Sequence, residues 1–318
     1  MEEKRSLVSE QGGQVAVQQR PVDVLKTMLK VDSVKEQFSN ALGAHRDTFI
    51  ASIIDLYTSD KQLQTCKPAD VVAQALKAAS LKLPINKALG FAYIVVYNNN
   101  VKVKDEQGRD QWIKVPTPTF IPGYKGYIQL AMRTGKYETI NADVVYDGEI
   151  GKVDKLSGAI KFDGVKKSDK IIGYFCYYKL TNGFKKTLYM SVEDMAKYAK
   201  RYSPSLGKGT SVEDLIKLAN TEQAGKQVGW MGNFNDMALK TVTRRLLSKF
   251  GYLSVEMQGA ISDEIAVDEK RNELIADNAN TITLDESSVS FEEVASPKPT
   301  TAPQTEAPTN DAEETPDY

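Results

Sequence analysis

The chain is poor in the side chains that perform chemistry. Among its 318 residues there is one histidine and there are two cysteines. No Cys or His cluster has the spacing of metal ligands, which argues against a structural or catalytic zinc site. Cys66 and Cys176 lie far apart in apolar or mixed surroundings and read as reduced, structural thiols. His45 falls in a polar helical stretch and reads as an ordinary surface residue. A phosphate loop is also missing. Gly207-Lys208-Gly209-Thr210 resembles one superficially, but Tyr202 stands where the first glycine belongs and Gly209 where Ser or Thr must follow the lysine. An engine that consumes ATP is therefore not expected. No segment approaches the roughly 18 consecutive apolar residues of a membrane span, and the first residues hold no apolar signal core. These absences point to a cytosolic protein with no membrane partner.

What is present is an uneven charge. The formal net charge of -1 conceals two opposed parts. Residues 259–318 hold Lys270, Arg271 and Lys298 against 15 acidic residues, a balance of -12. Residues 1–258 hold 38 basic against 27 acidic residues, a balance of +11. A basic body behind an acidic tail is the asymmetry expected of a protein with a polyanionic partner.

Apolar content of 41% is enough for a substantial core. Residues 1–20 read as a flexible arm. Helical periodicity then runs from Pro21 to about residue 80, with Pro68 as the first residue of one helix. The middle turns β-rich. Phe91–Tyr97 is a strand bounded by Asn98-Asn99-Asn100, and Asp105–Asp110 is a turn between Val101/Val103 and Trp112/Val115. Glu138–Tyr146, Ile171–Leu180 and Lys185–Met190 are further strands, the last two joined through Asn182-Gly183, a strong hairpin signal. Ser191 and Asp194 cap a helix running to Tyr202, and Val212–Val228 and Asn233–Phe250 are helices. The expected fold is α+β, a small antiparallel-rich sheet flanked by helices behind a helical N-terminal part. The core spans residues 21–258, a helical linker 259–284, and a disordered acidic tail rich in Ser, Thr, Pro and Glu spans 285–318.

Three segments concentrate donors on faces nearly free of acids. In residues 122–134, Lys125, Gln129 and Arg133 fall opposite an inward face of Tyr124, Tyr127, Ile128 and Ala131. Gly123 and Gly126 leave that backbone open to close approach, and the helix start offers N–H groups to an anion. In residues 195–202, Lys197, Lys200 and Arg201 oppose Met195, Tyr198, Ala199 and Tyr202. In residues 235–250, Lys240, Thr241, Arg244 and Ser248 oppose a buried stripe of Leu239, Val242, Leu246 and Phe250, with Arg245 and Lys249 flanking. Ordinary solvated helix faces mix charge signs, because Glu–Lys pairs support the helix. Faces of one sign suit a phosphate backbone, to which all these groups can donate. Tyr97, Tyr124, Tyr202 and Trp230 lie near these donors and are the candidates for stacking on bases.

The segments LPINKALGFAY at 83–93, FIPGYKGYIQLA at 120–131 and MALKTVTRRLL at 237–247 resemble the RecT family of phage and prophage recombinases. Gly173-Tyr174, Tyr189-Met190-Ser191 and Lys200–Ser203 fit the same order and spacing, and the resemblance covers about residues 20–260. Ala199 lies in a stretch where relatives often carry His-Ala, a departure that touches the role of this loop. The resemblance implies ATP-independent annealing of single-stranded DNA by rings or helical filaments of a homo-oligomer. It implies no cofactor beyond Mg2+ accompanying the DNA. It also implies partnership with a 5′-to-3′ exonuclease and with host single-strand-binding protein, and the annealed duplex as product. By motif match it places DNA contact on Lys125, Arg133, Lys240, Arg244 and Arg245. Two rival readings stand beside it. One is a protective single-strand-binding protein that does not anneal. The other is a metal-dependent nuclease built on Asp143, Asp147, Glu149 and Asp154, acids that turn and strand-end positions explain better.

Overall fold

The computed structural model describes residues 20–262 except 106, 155, 204, 205, 208 and 222–228. The expected arm, tail and most of the linker lie outside the described residues. Four helices open the described chain: α1 (Pro21–Leu29), α2 (Asp32–Leu42), α3 (Arg46–Ser59) and α4 (Pro68–Ser80). Pro21 and Pro68 each sit in a first helical turn, where a missing N–H costs nothing. Leu25, Phe38, Ile53, Tyr57, Val71 and Ala75 from these helices pack into one cluster. Each large apolar side chain so buried stabilises the fold by roughly 1.5–3 kcal/mol.

That cluster is completed by a β-hairpin, β1 (Ala92–Lys104) and β2 (Asp110–Pro122), whose base contributes Ile94, Val96 and Phe120. Gln74 of α4 accepts the Phe120 amide at 3.0 Å and ties hairpin to helix. The hairpin corrects one expectation: Asn98, Asn99 and Asn100 do not end the strand. They pair with Pro116, Val115 and Lys114 in an unbroken register that runs on to Lys104 and Asp110. A cross-strand ladder held on both sides outweighs the weak strand propensity of asparagine.

After β2 the chain forms α5 (Tyr124–Arg133), then β3 (Tyr137–Tyr146), the two-residue strands β4 (Val153–Asp154) and β5 (Ala159–Ile160), β6 (Ile171–Leu180) and β7 (Lys185–Ser191). The antiparallel sheet has the order β3-β6-β7. The β6–β7 turn is the Asn182-Gly183 pair, with Gly183 at φ 85°, and Asn182 accepts the Phe184 amide at 3.0 Å. From β7 the chain enters α6 (Val192–Tyr202), capped as expected by Ser191, whose hydroxyl accepts the Asp194 amide at 3.0 Å. α7 (Val212–Ala219) is shorter than its expected reach to Val228: it stops at Asn220, and residues 222–228 lie outside the described residues. It opens on a capping box formed by Ser211 and Asp214. α8 (Phe234–Phe250) follows, and residues 255–262 are again helical.

α8 is the centre of the second core cluster. It touches β3, β6 and β7 on one side, and α5 and α7 elsewhere. Phe234, Ala238, Val242, Leu246 and Leu247 are fully buried with Tyr174, Cys176 and Tyr178 of β6. The fold is α+β, with small antiparallel sheets covered by helices and a helical N-terminal part.

Candidate nucleic-acid interface

The α5 donors are built into the scaffold. Arg133 donates from Nη1 to the Leu81 carbonyl at 2.6 Å and from Nη2 to the Lys82 carbonyl at 2.8 Å. These carbonyls close α4. Lys82 has a left-handed φ of 51°, its amide donates to Ala79, and the Leu83 amide reaches back to Ala78. A guanidinium there satisfies acceptors left over at a helix C-terminus and meets the negative end of the dipole. Burial draws the Arg133 pKa below its ordinary value. Gln129 is half-buried, and its side-chain oxygen finds no hydrogen-bond partner among the described residues. Lys125 is exposed, 6.0 Å from the centre of the Tyr124 ring. Tyr124 is half-buried, and burial together with Asp236 and Asp143 raises its pKa, so carboxylates lie near this part of α5.

The two glycines of this segment serve packing. A Cβ on Gly123 would stand 2.2 Å from the Gly90 carbonyl, and one on Gly126 2.2 Å from the Phe91 carbonyl. The space that the sequence suggested for a ligand backbone is taken by the start of the hairpin.

α6 and α8 behave differently, because the arginines of α8 meet a tyrosine of α6. Arg244 Nη2 donates to the Tyr198 hydroxyl at 3.2 Å, and the Arg245 guanidinium lies 5.1 Å from the centre of the Tyr198 ring. Arg245 also reaches the Met190 sulfur at 3.7 Å, so β7 supports it from below. Tyr198 stacks on Tyr202 with ring centres 4.7 Å apart, and the Arg201 guanidinium lies 5.3 Å from the Tyr202 centre. A pair of rings, Tyr198 and Tyr202, is thus flanked by Arg245 of α8 at one end and Arg201 of α6 at the other, which joins two helices far apart in sequence. Such cation–ring contacts contribute about 0.5–1 kcal/mol each at exposed sites. Lys249 follows Arg245 by one helical turn and is exposed. Lys200 donates to the Thr210 carbonyl, and Lys197 pairs with Glu193 at 2.6 Å, which raises the lysine's pKa through their hydrogen bond.

Several placements differ from expectation. Lys240 and Thr241 do not face solvent: they are 7% and 5% exposed, and the Thr241 hydroxyl donates to the Met237 carbonyl at 2.8 Å. The apolar stripe of α8 correctly marks one buried side, but the sheet and α5 together bury more of the helix than one stripe. Tyr202 and Phe250, read as inward, are 44% and 39% exposed, since each ends its helix beyond the covering elements. Trp230 is 5% exposed and packs edge-on against Phe234 at 5.3 Å, a core position. Tyr97 is half-buried on β1, opposite Thr117.

Three of the four acids that a nuclease would use, Asp143, Glu149 and Asp154, have local work. Asp143 accepts the Val144 amide, Glu149 the Tyr146 amide, and Asp154 the Leu156 amide and Ser157 hydroxyl. Among the described residues no three His, Cys, Asp or Glu side chains converge where a metal ion could sit.

A family model described as the RecT family matches residues 47–276. Over 251 residues the chain is 38% identical to "Uncharacterized protein YqaK" of Bacillus subtilis (strain 168), covering 79% of this chain and 75% of that protein. Over 273 residues it is 25% identical to "Protein RecT" of Escherichia coli (strain K12), covering 81% of this chain and 86% of that protein.

Proposed function

The chain belongs to the RecT family, and from that membership and the joined α6–α8 face we propose that it pairs complementary single strands of DNA in recombination without consuming a nucleotide. The observation that carries the reading is the contact of Arg245 with Tyr198 and of Arg201 with Tyr202, two stacked rings, which sets exposed cations of α8 and α6 on one face, with half-buried Arg244 bracing the Tyr198 hydroxyl. Two single strands repel through their phosphates. A cationic track neutralises that charge and leaves base edges free to pair, so contacts go to the backbone and carry little sequence preference.

A track on one protomer is short. Copies set side by side extend it, and many weak contacts then act together. The protein therefore works as a homo-oligomer in the bacterial cytoplasm. An exonuclease that exposes single strands supplies its substrate, and host single-strand-binding protein is what it displaces or meets there. The acidic segment after residue 285 competes with DNA for the track or recruits such a partner. Mg2+ accompanies the DNA as a counterion.

The test is annealing of complementary oligonucleotides without nucleotide, followed by gel or fluorescence quenching. The wild type is expected to accelerate pairing, and a variant lacking Arg201, Arg245 and Lys249 to lose that acceleration with its fold intact. Tight binding without acceleration would leave the protective single-strand binder as the correct reading. Cleavage of labelled DNA with Mg2+ would favour the nuclease.

A further inference from the structure

At the C-terminal end of α8 three aromatic rings stand out of the surface. Phe250 is 39% exposed, Phe184 46% and Tyr252 50%. Lysines flank them. The Lys186 and Lys249 ammonium groups each lie 5.2 Å from the centre of the Phe250 ring, and that of Lys136 lies 5.8 Å from the centre of Tyr252. None of the three lysines is in an ion pair among the described residues. Lys186 is fixed by a hydrogen bond to the Ser157 carbonyl at 2.8 Å and keeps its remaining donors.

The backbone beneath the rings is held firmly. The Tyr178 hydroxyl donates to the Phe250 carbonyl, and the Tyr137 hydroxyl to the Tyr252 carbonyl at 2.9 Å. These two buried tyrosines meet edge to face at 5.4 Å. Between the rings, a Cβ on Gly251 would stand 2.6 Å from the Tyr137 hydroxyl and 2.7 Å from the Leu247 carbonyl, so the chain lies directly on its support. Core packing gains little from rings so exposed, yet the scaffold presents them rigidly beside cations.

We infer that Phe250 and Tyr252, with Lys136, Lys186 and Lys249, form a base-stacking platform for single-stranded nucleic acid, the rings taking unpaired bases and the ammonium groups the flanking phosphates. The inference rests on the annealing reading above and extends its track beyond Arg245 by way of Lys249. Rings stack on any base, so the platform adds affinity without sequence preference. Bases already paired inside a duplex are not available to the rings, so the platform favours single strands.

The experiment compares binding of oligo-dT with binding of an abasic oligonucleotide of equal length, which keeps the phosphates and lacks the bases. The full-length protein is used, as wild type, Phe250→Leu, Tyr252→Leu and the Lys136→Gln/Lys186→Gln double variant, with sedimentation run in parallel. Each ring variant is expected to lose roughly tenfold in dT affinity, to bind the abasic strand as wild type does, and to keep the wild-type salt slope. The lysine variant is expected to lower the salt slope on both strands. Ring variants that keep the wild-type preference for dT over the abasic strand overturn the platform while the annealing reading stands. Ring variants that break up the oligomer and keep that preference make the rings a subunit contact, which also overturns it. Failure of the wild type to bind either strand would instead remove the annealing reading.

Discussion

Replacing Arg201, Arg245 and Lys249 together with alanine probes the α6–α8 track most directly. All three side chains are exposed, and none is in an ion pair among the described residues. Each is thus available to a phosphate without first breaking an internal bridge. A phosphate contact on single-stranded DNA contributes about 0.7 to the slope of log K against log salt. Losing three contacts should lower the slope by about 2. Over a fourfold rise in salt, the wild type should then lose about 18-fold more affinity than the variant does. Fluorescence anisotropy with labelled oligo-dT across a salt series measures the slope directly. Lys26, Lys30 and Lys61, exposed in the N-terminal part, provide a control of equal charge when replaced with alanine. The control is expected to keep the wild-type slope. Stability should fall by only about 1 kcal/mol, from the lost contacts with Tyr198 and Tyr202. An unchanged slope in the triple variant, or an equal drop in the control, would refute a localised track.

Three further outcomes follow from the packing. Arg133→Ala should cost about 2 kcal/mol in urea denaturation, through loss of its bonds to the Leu81 and Lys82 carbonyls, and leave the salt slope unaltered; a lower slope at wild-type stability would put this side chain on DNA instead. Gly126→Ala should destabilise by about 3 kcal/mol, because its Cβ collides with the Phe91 carbonyl, and wild-type melting would contradict that contact. Burial pushes the Tyr137 hydroxyl up to about 12 and those of Tyr174 and Tyr178 higher still. A folded pKa above the ordinary value of about 10 means stability that is complete below that pH and lost as pH rises towards and through 12. Phenolate absorbance should therefore show these tyrosines ionising only as circular dichroism reports unfolding, and their titration near 10 in a folded protein would remove the argument.

The helices and strands were largely legible along the chain. Local rules act through near neighbours: the prolines at 21 and 68, Ser191 with Asp194, and Asn182-Gly183 each fix a boundary within a few residues. Where a ladder acted instead, as across Asn98–Asn100, local propensity misled. The candidate site was legible only in part. Arg201, Arg245 and Lys249 lie on an exposed face, but the sequence does not say that α6 and α8 adjoin, since that contact bridges residues some 46 positions apart.

The residues by themselves determined the α+β class, the positions of the main elements, the opposed charges of body and tail, and the family. Tertiary structure alone decided which cations reach solvent and which rings stand outside. A periodic pattern identifies one apolar side of a helix, but it cannot count how many neighbours cover the rest. α8, wrapped by the sheet and α5, therefore buries Lys240 and Thr241, and it exposes Phe250 where the cover ends.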